Sequence, residues 1–393
     1  MFSGDIFEVI KRKTALLFVL MLLAITTGLM MNGNAQSSAQ SRLTSEVVTG
    51  PAADYGNSDV HDGSATDVAV PDAVTGSGVA TGSGVYLDRY SATAYILDNI
   101  NRAEAVFQVN GISDLSGCSL SCTSAAASMD IVVRKTCGMS DAFSLYTYNT
   151  GHTFVTVNLD EFVFDVELTV VRAPINHSSK VLDQGRSFRL QIKNYPEKPL
   201  WKSSDGLVAT VDKNGRVRAK NIGNAIIYTD IDGYRTGCIV SVVKKGISKV
   251  VEVARFIGTH WKYSQPRRMS KGYYDCSSLV WKAYRQSGRY VCGLRNNAPV
   301  AADIGRWCIS NKRRLGTFSK ASIQKKEYLP GDVLLKVHMR SDRFMGIGHI
   351  EMITGYSLHG FIGTKPVLFL TWGAREEGYG ASRKDDFVCR PYN

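Results

Sequence analysis

A cysteine that opens a helix and a histidine that opens a strand could together carry covalent chemistry. Tyr274-Asp275-Cys276-Ser277-Ser278-Leu279-Val280-Trp281-Lys282-Ala283-Tyr284 reads as an extended entry into a helix. Asp275 or Ser277 can cap it, and Leu279, Val280, Ala283 and Tyr284 form its apolar face. Gly288 stands where a helix of this length would end. Cys276 then meets the unsatisfied amides and positive dipole end of the first turn, which favour thiolate over thiol. The imidazole must come from elsewhere in the chain. Pro330-Gly331-Asp332 reads as a turn into a strand at Val333-Leu334-Leu335, and Gly348-His349-Ile350-Glu351-Met352-Ile353-Thr354-Gly355 reads as the next strand. Period-two alternation puts His349, Glu351 and Ile353 on one face. A thiol and an imidazole so placed suit acyl transfer through a thioacyl intermediate.

The elements that must position this pair lie in a chain of 393 residues, more than one hydrophobic core usually organises. With 44% apolar and 21% charged residues it is neither disordered throughout nor coiled coil. A mean hydropathy of -0.10 with a single long apolar run excludes a polytopic membrane protein. That run is Thr14–Met31, 18 uncharged residues behind Lys11-Arg12-Lys13. A basic segment, an apolar segment and then small residues form the pattern of export, with cleavage after Ala35 or Ala39. Membrane anchoring by residues 14–31 is the other reading, and the two stay open. Residues 1–35 are thus signal or anchor. Residues 36–90 are a Ser/Thr/Gly/Ala-rich linker, too poor in large apolar side chains to order itself.

A repeat follows at an offset of 72 residues: Gly151–Asp160 aligns without gaps on Gly223–Asp232, and Val170-Val171 on Val242-Val243. In each copy a β-branched strand meets a turn, at Asp160-Glu161 or Asp232-Gly233. A strand with alternating apolar positions then returns, which predicts a β-hairpin. Two β domains are expected, residues 91–171 and 172–245, both sandwiches. Leu182–Phe188, Trp201–Asp212 and Asn214–Ala219 followed by Gly223 resemble the bacterial immunoglobulin-like domains of group 2, a spacer or adhesive module without catalytic residues.

The last region, 246–393, resembles the NlpC-like peptidoglycan cysteine peptidases. The resemblance rests on Val250–Gly258 as a leading helix, Tyr274–Val280, Leu329–Val333 and Gly348–Ile353, in that order. It implies a papain-like α+β domain, so the expected fold is one or two Ig-like sandwiches followed by that domain. It also implies an exported endopeptidase, secreted or at the cell surface, that cleaves peptidoglycan stem peptides at a γ-D-glutamyl bond to a diamino acid. Cys276 would be the nucleophile and His349 its base, with Asp275, Ser277, Trp261 and Tyr263 around the substrate. Thr371 matches the residue that orients the histidine, with Glu351 and His359 as alternatives. An amidase, an acyl transferase or a surface-binding protein without turnover are the competing readings.

Charge agrees with an anionic environment. The chain carries +12 overall, and residues 248–393 hold 25 Lys and Arg against 11 Asp and Glu. Arg267-Arg268 and Lys312-Arg313-Arg314 suit anionic cell-wall polymers, and no nucleic-acid recognition motif accompanies them. No cofactor is expected. Cys276, Cys292, Cys308 and Cys389 lack metal-ligand spacing, so no metal is expected either. Cys118, Cys122 and Cys137, or Cys292 with Cys308, are candidates for disulfides.

Overall fold

The computed structural model describes residues 84–392, except 99, 101, 338–341, 374 and 379–383 and the side chains of 375–378. The signal or anchor and the linker up to residue 83 lie outside the described residues. All described residues fall within one compact unit, Val74–Asn393. Among them, no helix is long and apolar enough to cross a membrane.

The first sandwich contains β1 (Tyr86–Leu87), β2 (Ser91–Ile96), β3 (Ala103–Asn110), β4 (Leu120–Ser124), β5 (Val132–Lys135), β6 (Ala142–Thr147), β7 (Gly151–Leu159) and β8 (Phe162–Arg172). Its sheets run β1-β3-β6-β5 and β2-β8-β7-β4. Strand β1 pairs Tyr86 with Asn110, so the sandwich begins before residue 91, inside the expected linker. The second sandwich contains β9 (Ser179–Asp183), β10 (Ser187–Arg189), β11 (Lys202–Ser203), β12 (Ala209–Val211), β13 (Arg216–Ala219), β14 (Gly223–Ile231) and β15 (Tyr234–Val243). Its sheets run β10-β13-β12 and β11-β14-β15-β9.

The repeat is carried into three dimensions. Gly151 pairs with Val170 and Gly223 with Val242, the same register in both closing hairpins. In each copy an earlier strand adds in parallel, β2 to β8 and β9 to β15. Asp160 and Asp232 open the two turns at φ 50° and 49°, a left-handed conformation that Asp tolerates better than most residues. The inward positions of β7 and β8 (Val155, Val157, Leu159, Phe164, Val166, Leu168) are buried, as a half-buried antiparallel hairpin requires.

After β15 come α1 (Ile247–His260), β16 (Lys262–Tyr263), β17 (Tyr273–Tyr274), α2 (Cys276–Gln286), α3 (Ala301–Ser310), β18 (Arg314–Thr317) and α4 (Lys320–Gln324). Then follow β19 (Val333–Val337), β20 (Ile347–Ile362), β21 (Lys365–Trp372), β22 (Arg375–Gly378) and β23 (Phe387–Cys389). Six of these strands form one antiparallel sheet, β18-β23-β19-β20-β21-β22. The chain is therefore mostly β-sheet with few helices. This layout corrects the expectation of a papain-like α+β domain: the described chain is dominated by sheets, and a six-stranded antiparallel sheet is the centre of the C-terminal region.

Both faces of that sheet are covered. Val333, Leu335, Ile350, Met352, Phe387 and Cys389 pack with α1, α2 and α3. Leu334, Ile353, Tyr356, Leu368, Leu370 and Val388 pack in a second core that includes Ile226 and Ile239 of the second sandwich. Period-two alternation sends one set toward the helices and the other toward the sandwich.

Candidate functional site

Cys276 is the first residue of α2, and Asp275 caps that helix. The Asp275 carboxylate accepts from the Ser278 amide at 2.7 Å, and the Ser278 hydroxyl accepts from the Asp275 amide at 2.8 Å, a reciprocal capping box. Arg268 adds an ion pair to Asp275 at 3.2 Å and donates to the carbonyls of Ala298 and Pro299, both at 2.7 Å. Leu279, Val280, Ala283 and Tyr284 are all buried, so α2 is held from its cap to its last turn.

His349 lies near the start of β20, opposite Lys336 of β19, and Cys276 is close enough to raise the pKa of its ring. Its Nε2 lies 3.3 Å from Oε1 of Glu351, and Lys336 Nζ donates to the same oxygen at 3.0 Å. The Cys276 thiol and the Glu351 carboxylate together push the imidazole pKa up to about 9, against the effect of burial. Burial alone would raise the Glu351 carboxyl, but His349 and Lys336 outweigh it and hold the group below its ordinary value. The result is a row of sulfur, imidazole, carboxylate and ammonium on neighbouring strands and a helix start. In acyl transfer the thiolate attacks, the imidazolium protonates the leaving amine, and the carboxylate keeps the ring oriented.

The remaining candidates divide sharply. Tyr263 is 55% exposed and lies near Cys276. Burial raises the phenol pKa, and the charge of Cys276 raises it further. Asp275 and Ser277 are buried, with the Ser277 hydroxyl donating to Asp275 at 3.3 Å. They build the helix start. Trp261 is half-buried with Lys282 Nζ 4.8 Å from its ring centroid, and Lys282 ties down the preceding loop through the carbonyls of Ser270 and Tyr273. Trp261 therefore braces that loop.

Thr371 is not brought to His349. Its hydroxyl accepts from Thr354 at 3.1 Å, and its register partner is Gly355. The register of β21 against β20 begins at Ile353, beyond the stretch that carries His349, so Thr371 lies too far along the sheet to orient the ring. His359 lies ten residues further along β20, about 30 Å at strand rise, and packs on Phe369. Glu351 is the residue that holds His349. Lys336 escaped sequence reasoning, although a lysine inside the apolar run Val333–Val337 was a readable signal that something anionic lies opposite.

The described cysteines are all thiols, and none forms the disulfides considered above. Among the described residues no cluster of His, Cys, Asp and Glu suits a metal ion.

Comparison with known proteins corrects the family assignment. No family model matches the chain, and no curated protein is similar to it. Among solved structures, the chain is similar to invasin, a bacterial integrin-binding protein, at 14% identity and TM-score 0.25, over 40% of this chain and 38% of that one. An intimin fragment crystallised with the intimin-binding domain of its receptor has 11% identity and TM-score 0.25, over 78% and 98%. The S-layer protein SbsC has 15% identity and TM-score 0.16, over 36% and 22%. The chain spans well under two-thirds of invasin. With no family model matching, the NlpC-like membership drawn from motifs is withdrawn, and of the group 2 assignment only the Ig-like type of the sandwiches stands. What remains is a multidomain, β-rich chain with Ig-like sandwiches.

Proposed function

We propose that this chain acts at a bacterial cell surface, where its Ig-like sandwiches carry a C-terminal thiol hydrolase to peptide bonds of the cell wall. The observation that carries the reading is an imidazole held by a half-buried carboxylate and raised in pKa by Cys276, which stands at the start of a rigidly capped helix. A buried inert thiol has no use for that arrangement. Tyr263 and the Cys276 amide mark where the developing oxyanion would sit. The excess of cations in residues 248–393 favours anionic wall material, and stem peptides with free carboxylates are the substrate class that fits.

A second reading keeps the surface location and drops the turnover: an adhesin whose C-terminal domain binds without cleaving. It draws support from the sandwiches, which make up most of the strands and present no catalytic residues. It is also the reading nearest in kind to the named adhesins and S-layer proteins, whose TM-scores do not decide between the two. Mass spectrometry of purified muropeptides incubated with the full chain separates them. Cleavage within the stem peptide that is lost in Cys276→Ser supports the hydrolase. Intact muropeptides retained by a folded protein establish the adhesin.

A further inference from the structure

The outer face of the three-stranded sheet in the second sandwich carries cations that neither the fold nor the proposed chemistry uses. In β10 and β13 the apolar residues Phe188, Val217 and Ala219 pack on the core, while Ser187, Arg189, Arg216 and Arg218 are exposed. The register sets Arg189 opposite Arg216 and Ser187 opposite Arg218, with Thr210 of β12 on the other side of Arg218. Like charges directly opposite one another destabilise an antiparallel pair. Among the described residues no carboxylate pairs with any of the three guanidiniums, and Arg216 makes one long contact of 3.4 Å with the Ser187 hydroxyl. Asp212 in the adjoining turn is an acid, but its Oδ1 accepts from the amides of Asn214 and Arg216 at 2.9 and 3.0 Å. Protection of a sheet edge does not account for these charges, because β13 is the central strand. Nor does the sandwich demand them. Strand β6 of the first sandwich ends four residues before Gly151, as β13 ends four before Gly223. It bears Ser144 and Tyr146 where β13 bears Arg216 and Arg218.

We propose that this face binds a linear phosphodiester polymer, its phosphates lying on Arg189, Arg216 and Arg218. Arg216 and Arg218 stand two residues apart on one face of β13, about 7 Å at strand rise, and exposed Lys220 follows in the same sequence alternation. Two residues of a strand contain six backbone bonds. A phosphodiester with a three-carbon linker also has six bonds between successive phosphorus atoms, so its charges keep step with alternate residues. Guanidinium groups meet phosphate oxygens through paired hydrogen bonds, and an anion between Arg189 and Arg216 removes their repulsion. A nucleic acid shares this backbone, but its bases call for aromatic platforms. Among the described residues the outward side chains of this face are Ser187, Arg189, Thr210, Arg216 and Arg218, none of them aromatic. A polyol phosphate polymer without bases is therefore the partner that fits. Such binding would hold the sandwich to the polymer whether or not Cys276 turns over, so it does not rest on the hydrolase reading.

Fluorescence polarisation of a labelled poly(glycerol phosphate) titrated with the full chain tests the assignment. The variant combining Arg189→Gln, Arg216→Gln and Arg218→Gln should bind at least about 10-fold more weakly. Its plot of log Kd against log salt should be flatter by about 2, since fewer counterions are released from the polymer. Its melting temperature should match or exceed that of the unsubstituted chain, because the cross-strand repulsion is gone. Should the combined variant fail to fold, Arg216→Gln alone should weaken binding by about 3-fold. A charge-matched control, Lys325→Gln with Lys365→Gln and Lys384→Gln, removes three exposed cations of the C-terminal region and should bind within about 2-fold of the unsubstituted chain. An equal loss in that control would mean attraction by net charge alone and overturns the proposal. Unchanged binding by the arginine variant overturns it too, as does tighter binding of polyglutamate, single-stranded DNA or phosphatidylglycerol vesicles than of the polymer.

Discussion

Glu351 answers to two cations at once, and that decides how His349 behaves. Its carboxylate is shared between the imidazole and the Lys336 ammonium, so it stays charged although it is mostly buried. On the proposed chemistry, Glu351→Gln should lower kcat/KM by about 100-fold, because the ring loses the partner that orients it and stabilises its charge. Thr371→Val, which touches only the Thr354 contact, should stay within about 2-fold. A larger loss in the threonine variant than in the glutamine variant would reverse these roles. The pH dependence follows from His349, whose pKa in the folded chain, about 9, lies above its ordinary 6.5. The contribution of this group to stability is therefore complete below pH 6.5 and fades as pH rises through about 9. Hydrolysis needs the protonated ring to release the amine, so kcat/KM should fall over the same upper range. In Glu351→Gln that fall should begin at lower pH. A profile unmoved by the substitution would show that the carboxylate does not reach the reacting proton.

At the level of elements, the helix starts are the vulnerable points. Asp275 is both cap of α2 and partner of Arg268, so Asp275→Ala removes the capping bond and leaves a guanidinium with little exposure unpaired. A loss of about 2–4 kcal/mol is expected from denaturant titration. Ser277→Ala, which removes one long hydrogen bond, should cost under about 1 kcal/mol. Equal losses would refute the capping account. Much of this layer was readable from residue types. Asp-Cys-Ser-Ser before an apolar helical face announced the α2 start, and the 72-residue offset announced both closing hairpins in register. The orienting residue was not readable from the matched strand, because Thr371 satisfies the pattern while sheet register carries it away from His349. The true partner lay two residues along the histidine's own strand, where period-two alternation had put it among the candidates. Lys336 went unseen because its partner is set by the pairing of β19 with β20, which one strand read alone does not reveal.

The junction between the second sandwich and the C-terminal region lies beyond any single motif, because it is made by residues that each look like ordinary core. Ile226 and Ile239 on the sandwich share a core with Leu334, Ile353, Tyr356 and Leu370 on the six-stranded sheet. Polar contacts seal it. Asp183 of β9 accepts from the amides of Gly246 and Ser248 at 2.8 and 3.1 Å, supplying the cap that Gly246 cannot give α1. Asn224 of β14 donates to the carbonyls of Lys326 and Tyr328 at 2.8 and 2.7 Å. A fragment starting at residue 246 would expose one apolar face of its central sheet to water and leave α1 uncapped. Such a fragment should aggregate or melt far below the intact chain, whereas one starting at residue 172 should unfold in a single transition that includes the sandwich. Within the longer fragment, Ile239→Ala should lower the stability of sandwich and sheet together by about 2–4 kcal/mol, read as a shift of one common denaturant midpoint. Two separate midpoints, with only the sandwich responding to Ile239→Ala, would mean that the domains fold alone and that the shared core is mere contact.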